Sequence, residues 1–147
     1  MKVTLPIRVV AFETDYGGVV SNTRYVEYLE RGRYALLQDC GLSVERVLET
    51  HGVQAVVRRI DIEFLLPARH EDELELHVEV QSHSGATTTL ISQLFRSRDQ
   101  VLLMRATQTL AYIDARFRVV RVPQVFRDAL AINKPATNEP ATNEPEA

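Results

Sequence analysis

The sequence is poor in cysteine, tryptophan, lysine and long apolar runs, and each scarcity excludes something. A single cysteine, Cys40, cannot form an intrachain disulfide, which fits a reducing compartment. No apolar run approaches the roughly 20 residues that a membrane-spanning helix needs. The opening residues Met1-Lys2-Val3-Thr4-Leu5-Pro6 lack the apolar stretch and small-residue cleavage site of a secretory signal, so the expected location is cytoplasmic. Lys+Arg total 17 against 20 Asp+Glu, a formal net charge of −3, and such a chain lacks the basic face that nucleic-acid phosphates require. The four histidines, His51, His70, His77 and His83, show no HExxH-type pairing, and no second cysteine accompanies them. No metal site and no cofactor is therefore expected, and surface positions are the default for all four.

What is present is the composition of a soluble globular domain. Hydrophobic residues make up 45% and charged residues 25%, in a length that accommodates one core. That domain is expected to span residues 1–132. Beyond it, Pro135-Ala136-Thr137-Asn138-Glu139 recurs as Pro140-Ala141-Thr142-Asn143-Glu144, a polar stretch without apolar periodicity. Residues 133–147 are accordingly expected to form a disordered tail.

Periodicity assigns the elements. Val3, Leu5, Ile7, Val9 and Ala11 fall at alternate positions and predict a strand over 3–12. Tyr25, Leu29, Gly32, Leu36 and Cys40 recur at steps of three or four, one face of a helix over about 23–40, capped by Asn22 or Thr23 and closed by Gly41. Gly32 inside that stripe costs roughly 1 kcal/mol of helix propensity relative to alanine, which close backbone approach would offset. A short helix is expected from Ser43 to Thr50, ending at Gly52. Ile60, Ile62 and Phe64 alternate with Arg59, Asp61 and Glu63. Further strands over 71–83, 86–97 and 101–114, turned at Ser84-Gly85 and Arg98-Asp99-Gln100, predict an antiparallel meander with one wet face. A short strand near 117–121 and a helix from Pro123 to Ala131 complete an α+β pattern.

Between the first strand and the first helix lies Phe12-Glu13-Thr14-Asp15-Tyr16-Gly17-Gly18-Val19-Val20. It places one carboxylate, Asp15, beside two glycines that let backbone approach a ligand closely. A helix N-terminus follows, whose unpaired N–H groups can hold a developing oxyanion. These are the parts of an acyl-transfer site. An aspartate next to glycine is also a common turn or helix-capping residue.

The positions Asp15, Gly18, Val19, Tyr25, Glu30, Arg31 and Arg33, with Leu66-Pro67-Ala68 before a strand and Val122-Pro123 before a late helix, carry a resemblance. The pattern resembles the 4-hydroxybenzoyl-CoA thioesterase family, in the branch that includes the Tol-Pal-associated thioesterase. The resemblance implies a hotdog fold, a curved antiparallel sheet of five to six strands wrapped around the long helix. It implies hydrolysis of an acyl-CoA to free acid and CoA, with Asp15 as general base or nucleophile. Backbone N–H groups around Val20 to Thr23 would serve as oxyanion donors, and Gly17, Gly18, Val19 and Tyr25 would border the substrate. A homodimer or homotetramer is implied as well, since a lone wrapped sheet leaves an exposed edge. Two alternatives stand beside this reading: a thioesterase acting on acyl carrier protein in a biosynthetic pathway, and a hotdog protein that binds acyl thioesters without turning them over.

One position departs from the pattern. Relatives in that branch commonly carry histidine where this chain has Asn22, and some carry tyrosine where it has Ala11. Asparagine cannot act as an acid or base, so Asn22 is left to hydrogen-bond the thioester oxygen or water, or to cap the helix. Glu13, two residues from Asp15, makes a paired-carboxylate site conceivable, but the resemblance gives the reactive role to Asp15 and leaves Glu13 a polar neighbour. For the phosphates of coenzyme A the candidates are Arg58 and Arg59, with Arg96 and Arg98 beside them; each alone reads as a solvated strand residue. Cys40, at the end of the helix stripe, reads as a buried inert thiol.

Overall fold

A computed structural model describes residues 1–132. The repeat tail expected over 133–147 lies outside the described residues. Apolar alternation yields strands β1 (Lys2–Arg8), β2 (Val53–Phe64), β3 (Glu73–His83), β4 (Thr87–Arg96), β5 (Val101–Asp114) and β6 (Val119–Val120), and the helical stripes yield α1 (Asn22–Asp39), α2 (Val44–His51) and α3 (Gln124–Ala129). Every pairing is antiparallel, in the order β1-β3-β4-β5-β2, with β6 added beside β5.

The sheet curves because its register shifts. Pairing skips a residue between Val57 and Arg59 in β2, between Val80 and Ser82 in β3, and opposite Leu94/Phe95 in β5. Each extra residue bends its strand and raises the local twist. The concave face carries Leu74, Leu76, Val78, Leu90, Leu94, Met104, Ala106 and Leu110, all buried. Against it lies the α1 stripe of Tyr25, Tyr28, Leu29, Gly32 and Leu36. Each fully buried leucine or valine contributes about 1.5–3 kcal/mol relative to exposure, so this layer is what holds the helix in the sheet. The close approach expected at Gly32 is present: a Cβ there would stand 2.7 Å from Val78 Cγ2 and 2.8 Å from Leu76 Cδ2.

Several boundaries differ from the sequence expectation. β1 stops at Arg8 instead of continuing to residue 12, and Ala11–Glu13 form a 3-10 turn. The cause is Glu13, whose Oε1 reaches back to accept the Val10 N–H at 3.0 Å and closes the turn. Ser21, not Asn22 or Thr23, occupies the N-cap position of α1. Gly41 ends α1 as expected, with φ +72; its N–H donates to Gln38 O and that of Leu42 to Leu37 O, the paired bonds of a Schellman motif. Ser43 caps α2 through Arg46 N–H. Pro123 caps α3 from outside rather than sitting in its first turn.

Candidate active site

The corner between β1 and α1 is a small hairpin. Thr14 bridges to Val20, the Asp15 N–H donates to Val19 O at 2.9 Å, and the Gly18 N–H donates to Asp15 O at 3.0 Å. Gly18 has φ +75, which the turn needs and a side chain would resist. A second layer ties the hairpin down: Val20 N–H donates to Ala68 O, Ser21 N–H to Glu13 O, and Val19 bridges to Arg69.

Asp15 stands at the exposed tip of this hairpin. Its Oδ1 accepts the Gly17 N–H at 2.8 Å, so the turn-capping reading and the reactive reading coexist in one side chain. Oδ2 has no hydrogen bond among the described residues, and one carboxylate oxygen is therefore available to a ligand or water.

Glu13 does not join it. The side chain turns inward, is 8% exposed, and lies beside the buried Tyr28 hydroxyl. That hydroxyl has no hydrogen-bond partner among the described residues. Its ionisation is pushed up first by burial and then by the Glu13 charge. The paired-carboxylate possibility thus gives way to one exposed and one buried acid. Sequence parity missed this because it assumed a strand where the chain makes a 3-10 turn.

The helix end narrows the candidate oxyanion donors. Of the span Val20 to Thr23, Val20 and Ser21 already spend their N–H groups on Ala68 and Glu13, while Ser21 makes no side-chain cap. The N–H groups of Asn22 and Thr23, first in the helix, have no intrahelical acceptor and carry the positive end of its dipole. Asn22 is exposed and is not the cap residue.

A groove of about 240 Å³ opens at this helix end, lined by Val19, Asn22, Tyr25, Phe64, Leu65 and Leu66 among others. Val19, Asn22 and Tyr25 are thus brought together, and Gly17 and Gly18 form the turn beside them. The 64–67 wall was not foreseen; it presents Leu65 and Leu66 as exposed apolar residues. Tyr25 is largely structural: it is buried, its hydroxyl accepts the Ala68 N–H at 3.2 Å, and its ring meets Phe64 edge-on at 5.1 Å. That arrangement fastens the groove wall to α1.

Arg58 and Arg59 are not part of this groove. Arg58 is the extra residue of the β2 bulge, and Arg59 pairs with Asp61 at 2.8 Å. Phe64 stands five positions beyond Arg59, about 17 Å of strand. Arg96 is likewise engaged by Asp99. Two polar chains in the concave face were missed. Arg33 donates to Gln108, which donates to Ser92. His83, expected at the surface, is partly buried: its Nε2 donates to Leu130 O, and its Nδ1 faces Thr88 Oγ1, itself 2.6 Å from Tyr112 Oη. Cys40 is partly buried and burial pushes its thiol up, which matches an inert role.

The sequence profile described as the Thioesterase-like superfamily matches residues 9–130. The acyl-CoA thioesterase YbgC of Haemophilus influenzae is 32% identical over 111 residues, 76% of this chain and 80% of its own. The acyl-CoA thioester hydrolase YbgC of Escherichia coli O6:H1 is 34% identical over 109 residues, 74% of this chain and 80% of its own. Among solved structures, a 1,4-dihydroxy-2-naphthoyl-CoA thioesterase from Synechocystis superposes with a TM-score of 0.83 at 19% identity, covering 92% of this chain and 100% of that one. With a curved antiparallel sheet wrapped around α1, the hotdog arrangement, and a profile match running from the corner through α3, the chain belongs to the Thioesterase-like superfamily.

Proposed function

We propose that the protein hydrolyses acyl-CoA thioesters to the free acid and CoA, with Asp15 as the reactive carboxylate. The observation that carries this reading is the Asp15 side chain itself. It is exposed, fixed through Oδ1 by the Gly17 N–H, and unbonded at Oδ2, just ahead of a helix end with free N–H groups. In one route Oδ2 takes a proton from water as the water oxygen attacks the thioester carbonyl carbon. In the other, Oδ2 attacks that carbon and water later cleaves the mixed anhydride. Both routes collect negative charge on the carbonyl oxygen, which the Asn22 and Thr23 N–H groups would receive. The C–S bond then breaks and CoA leaves as a thiolate stable enough to need no dedicated acid. Asn22 contributes an amide hydrogen bond, not a proton.

The working unit is a homodimer at least, and a cytoplasmic enzyme. β2 pairs with β5 on one side and, among the described residues, with no strand on the other, leaving a long open edge that a second copy can cover. Arg58 and Arg59 lie at the middle of β2, so antiparallel pairing of two β2 edges would bring them to the seam between the copies. There those cations could meet CoA phosphates. The test is release of free thiol from a panel of short, long and aromatic acyl-CoAs. Turnover of at least one supports the reading; binding without release from any would reassign the protein to thioester retention, and release only from acyl carrier protein would reassign the substrate.

A further inference from the structure

Away from the corner, Arg33 stands out as a cation set in the lining of an apolar groove. Arg33, in the middle of α1, is half-buried, and burial lowers its affinity for its proton while Glu30 acts in the opposite direction. No carboxylate stands within ion-pair distance of it among the described residues. Its one side-chain hydrogen bond there runs to Gln108 Oε1 at 2.6 Å. Gln108 and Ser92 are both fully buried, and Gln108 Nε2 donates to Ser92 Oγ at 3.2 Å, which fixes the amide so that its oxygen points at the guanidinium. A guanidinium has five N–H donors in a planar fork, so most of its donors remain unspent.

The same arginine lines a groove of about 220 Å³ whose other walls include Leu37, Val57, Leu90 and Leu110, with Tyr34 at the rim. A cation withdrawn from water without a partner carries a desolvation cost that a ligand oxyanion would offset. Apolar walls and a single cation suit a carboxylate on a hydrocarbon body better than a phosphate.

We propose that Arg33 and this groove form a subsite for a carboxylate carried on a short apolar body, the guanidinium gripping the carboxylate and Leu90 and Leu110 covering the body. Two sources share this chemistry: the free acid released by hydrolysis, and the far carboxylate of a dicarboxylic acyl group. Only the origin of the ligand rests on the thioesterase reading; the binding itself does not.

The test begins with calorimetry on the full chain, using hexanoate and hexan-1-ol as probes. Hexanoate should bind at least about tenfold more tightly than the alcohol. Arg33→Met should remove that difference. So should Gln108→Glu, which keeps the arginine but supplies its charge with an internal carboxylate. Thermal melts check that each variant is folded, and Arg33→Lys should retain part of the preference. Equal binding of the two probes by the unaltered protein, or a preference unchanged in both Arg33→Met and Gln108→Glu, overturns the subsite. The source is then read kinetically. Inhibition of hexanoyl-CoA hydrolysis by hexanoate that Gln108→Glu abolishes identifies the product acid, while a preference for adipyl-CoA over hexanoyl-CoA that the same change abolishes identifies the far carboxylate. Absence of turnover with every acyl-CoA would sink the thioesterase reading and leave the calorimetric result standing.

Discussion

The Gly17 N–H holds Asp15 Oδ1 at 2.8 Å, and a Cβ added to Gly17 would meet that same oxygen at 3.2 Å. One residue therefore both orients the carboxylate and leaves room for it. Gly17→Ala keeps an allowed backbone but displaces Oδ1 by a few tenths of an ångström. Since misplacement by about 1 Å can cost a hundredfold, a loss of about tenfold in kcat with KM nearly unchanged is expected. Steady-state kinetics beside a circular dichroism spectrum would check it; wild-type kcat would show that the orientation is immaterial.

Gly32 makes a stability prediction. Alanine would gain up to about 1 kcal/mol of helix propensity, but its methyl would enter Val78 Cγ2 at 2.7 Å, and overpacking typically costs about 1–3 kcal/mol. The collision wins because Val78 is branched at Cβ and fully buried. Gly32→Ala should unfold at lower denaturant concentration than the unaltered protein. A raised midpoint would mean that α1 sits farther from β3 than described.

Asn22 lies at the groove and not at the cap position, so its two sequence readings separate. Asn22→Ala should leave stability within about 0.5 kcal/mol, as for an ordinary exposed site, while lowering kcat/KM. Asn22→His should likewise leave the thermal midpoint alone. A large loss of stability in either variant would restore a capping role.

The fold was legible where burial alternates simply. Leu74, Leu76, Val78 and Val80 announce β3, and Gly32 announces the helix resting on it, because period-2 and period-3.6 patterns are local properties of the chain. The candidate site was legible in part. Asp15 and its glycines are contiguous, so the turn could be read directly. Glu13 could not, since its inward turn depends on the Val10 N–H and on Tyr28 fifteen residues later. Nor could the Leu65-Leu66 wall or the Arg33–Gln108 bond, which join residues far apart in sequence through the curvature that the bulges create. Arg58 and Arg59 were chosen for charge alone, and charge does not encode which way a bulged edge strand presents a side chain.

Asp114 supplies a pH prediction. Its carboxylate accepts the N–H groups of Arg118 and Arg116 and the Arg118 guanidinium, and these bonds, led by the Arg118 N–H, hold it below its usual value of 3.8. A depressed carboxylate stabilises the folded state when ionised. That contribution is present above pH 3.8 and disappears as pH falls through the lower folded value. Asp114→Asn should therefore melt below the unaltered protein at pH 7, with the gap closing under acid conditions. A gap independent of pH would assign the difference to something other than this charge.

The central claim is that Asp15 performs the chemistry, and Asp15→Asn tests it most directly. Asparagine keeps the size and can still accept the Gly17 N–H, while removing the basic and nucleophilic oxygen. With the acyl-CoA that the unaltered protein turns over fastest, thiol release under single-turnover conditions should fall by at least about a hundredfold, with the thermal midpoint and oligomeric state unchanged. Asp15→Asn protein that releases thiol at the unaltered rate would contradict the account.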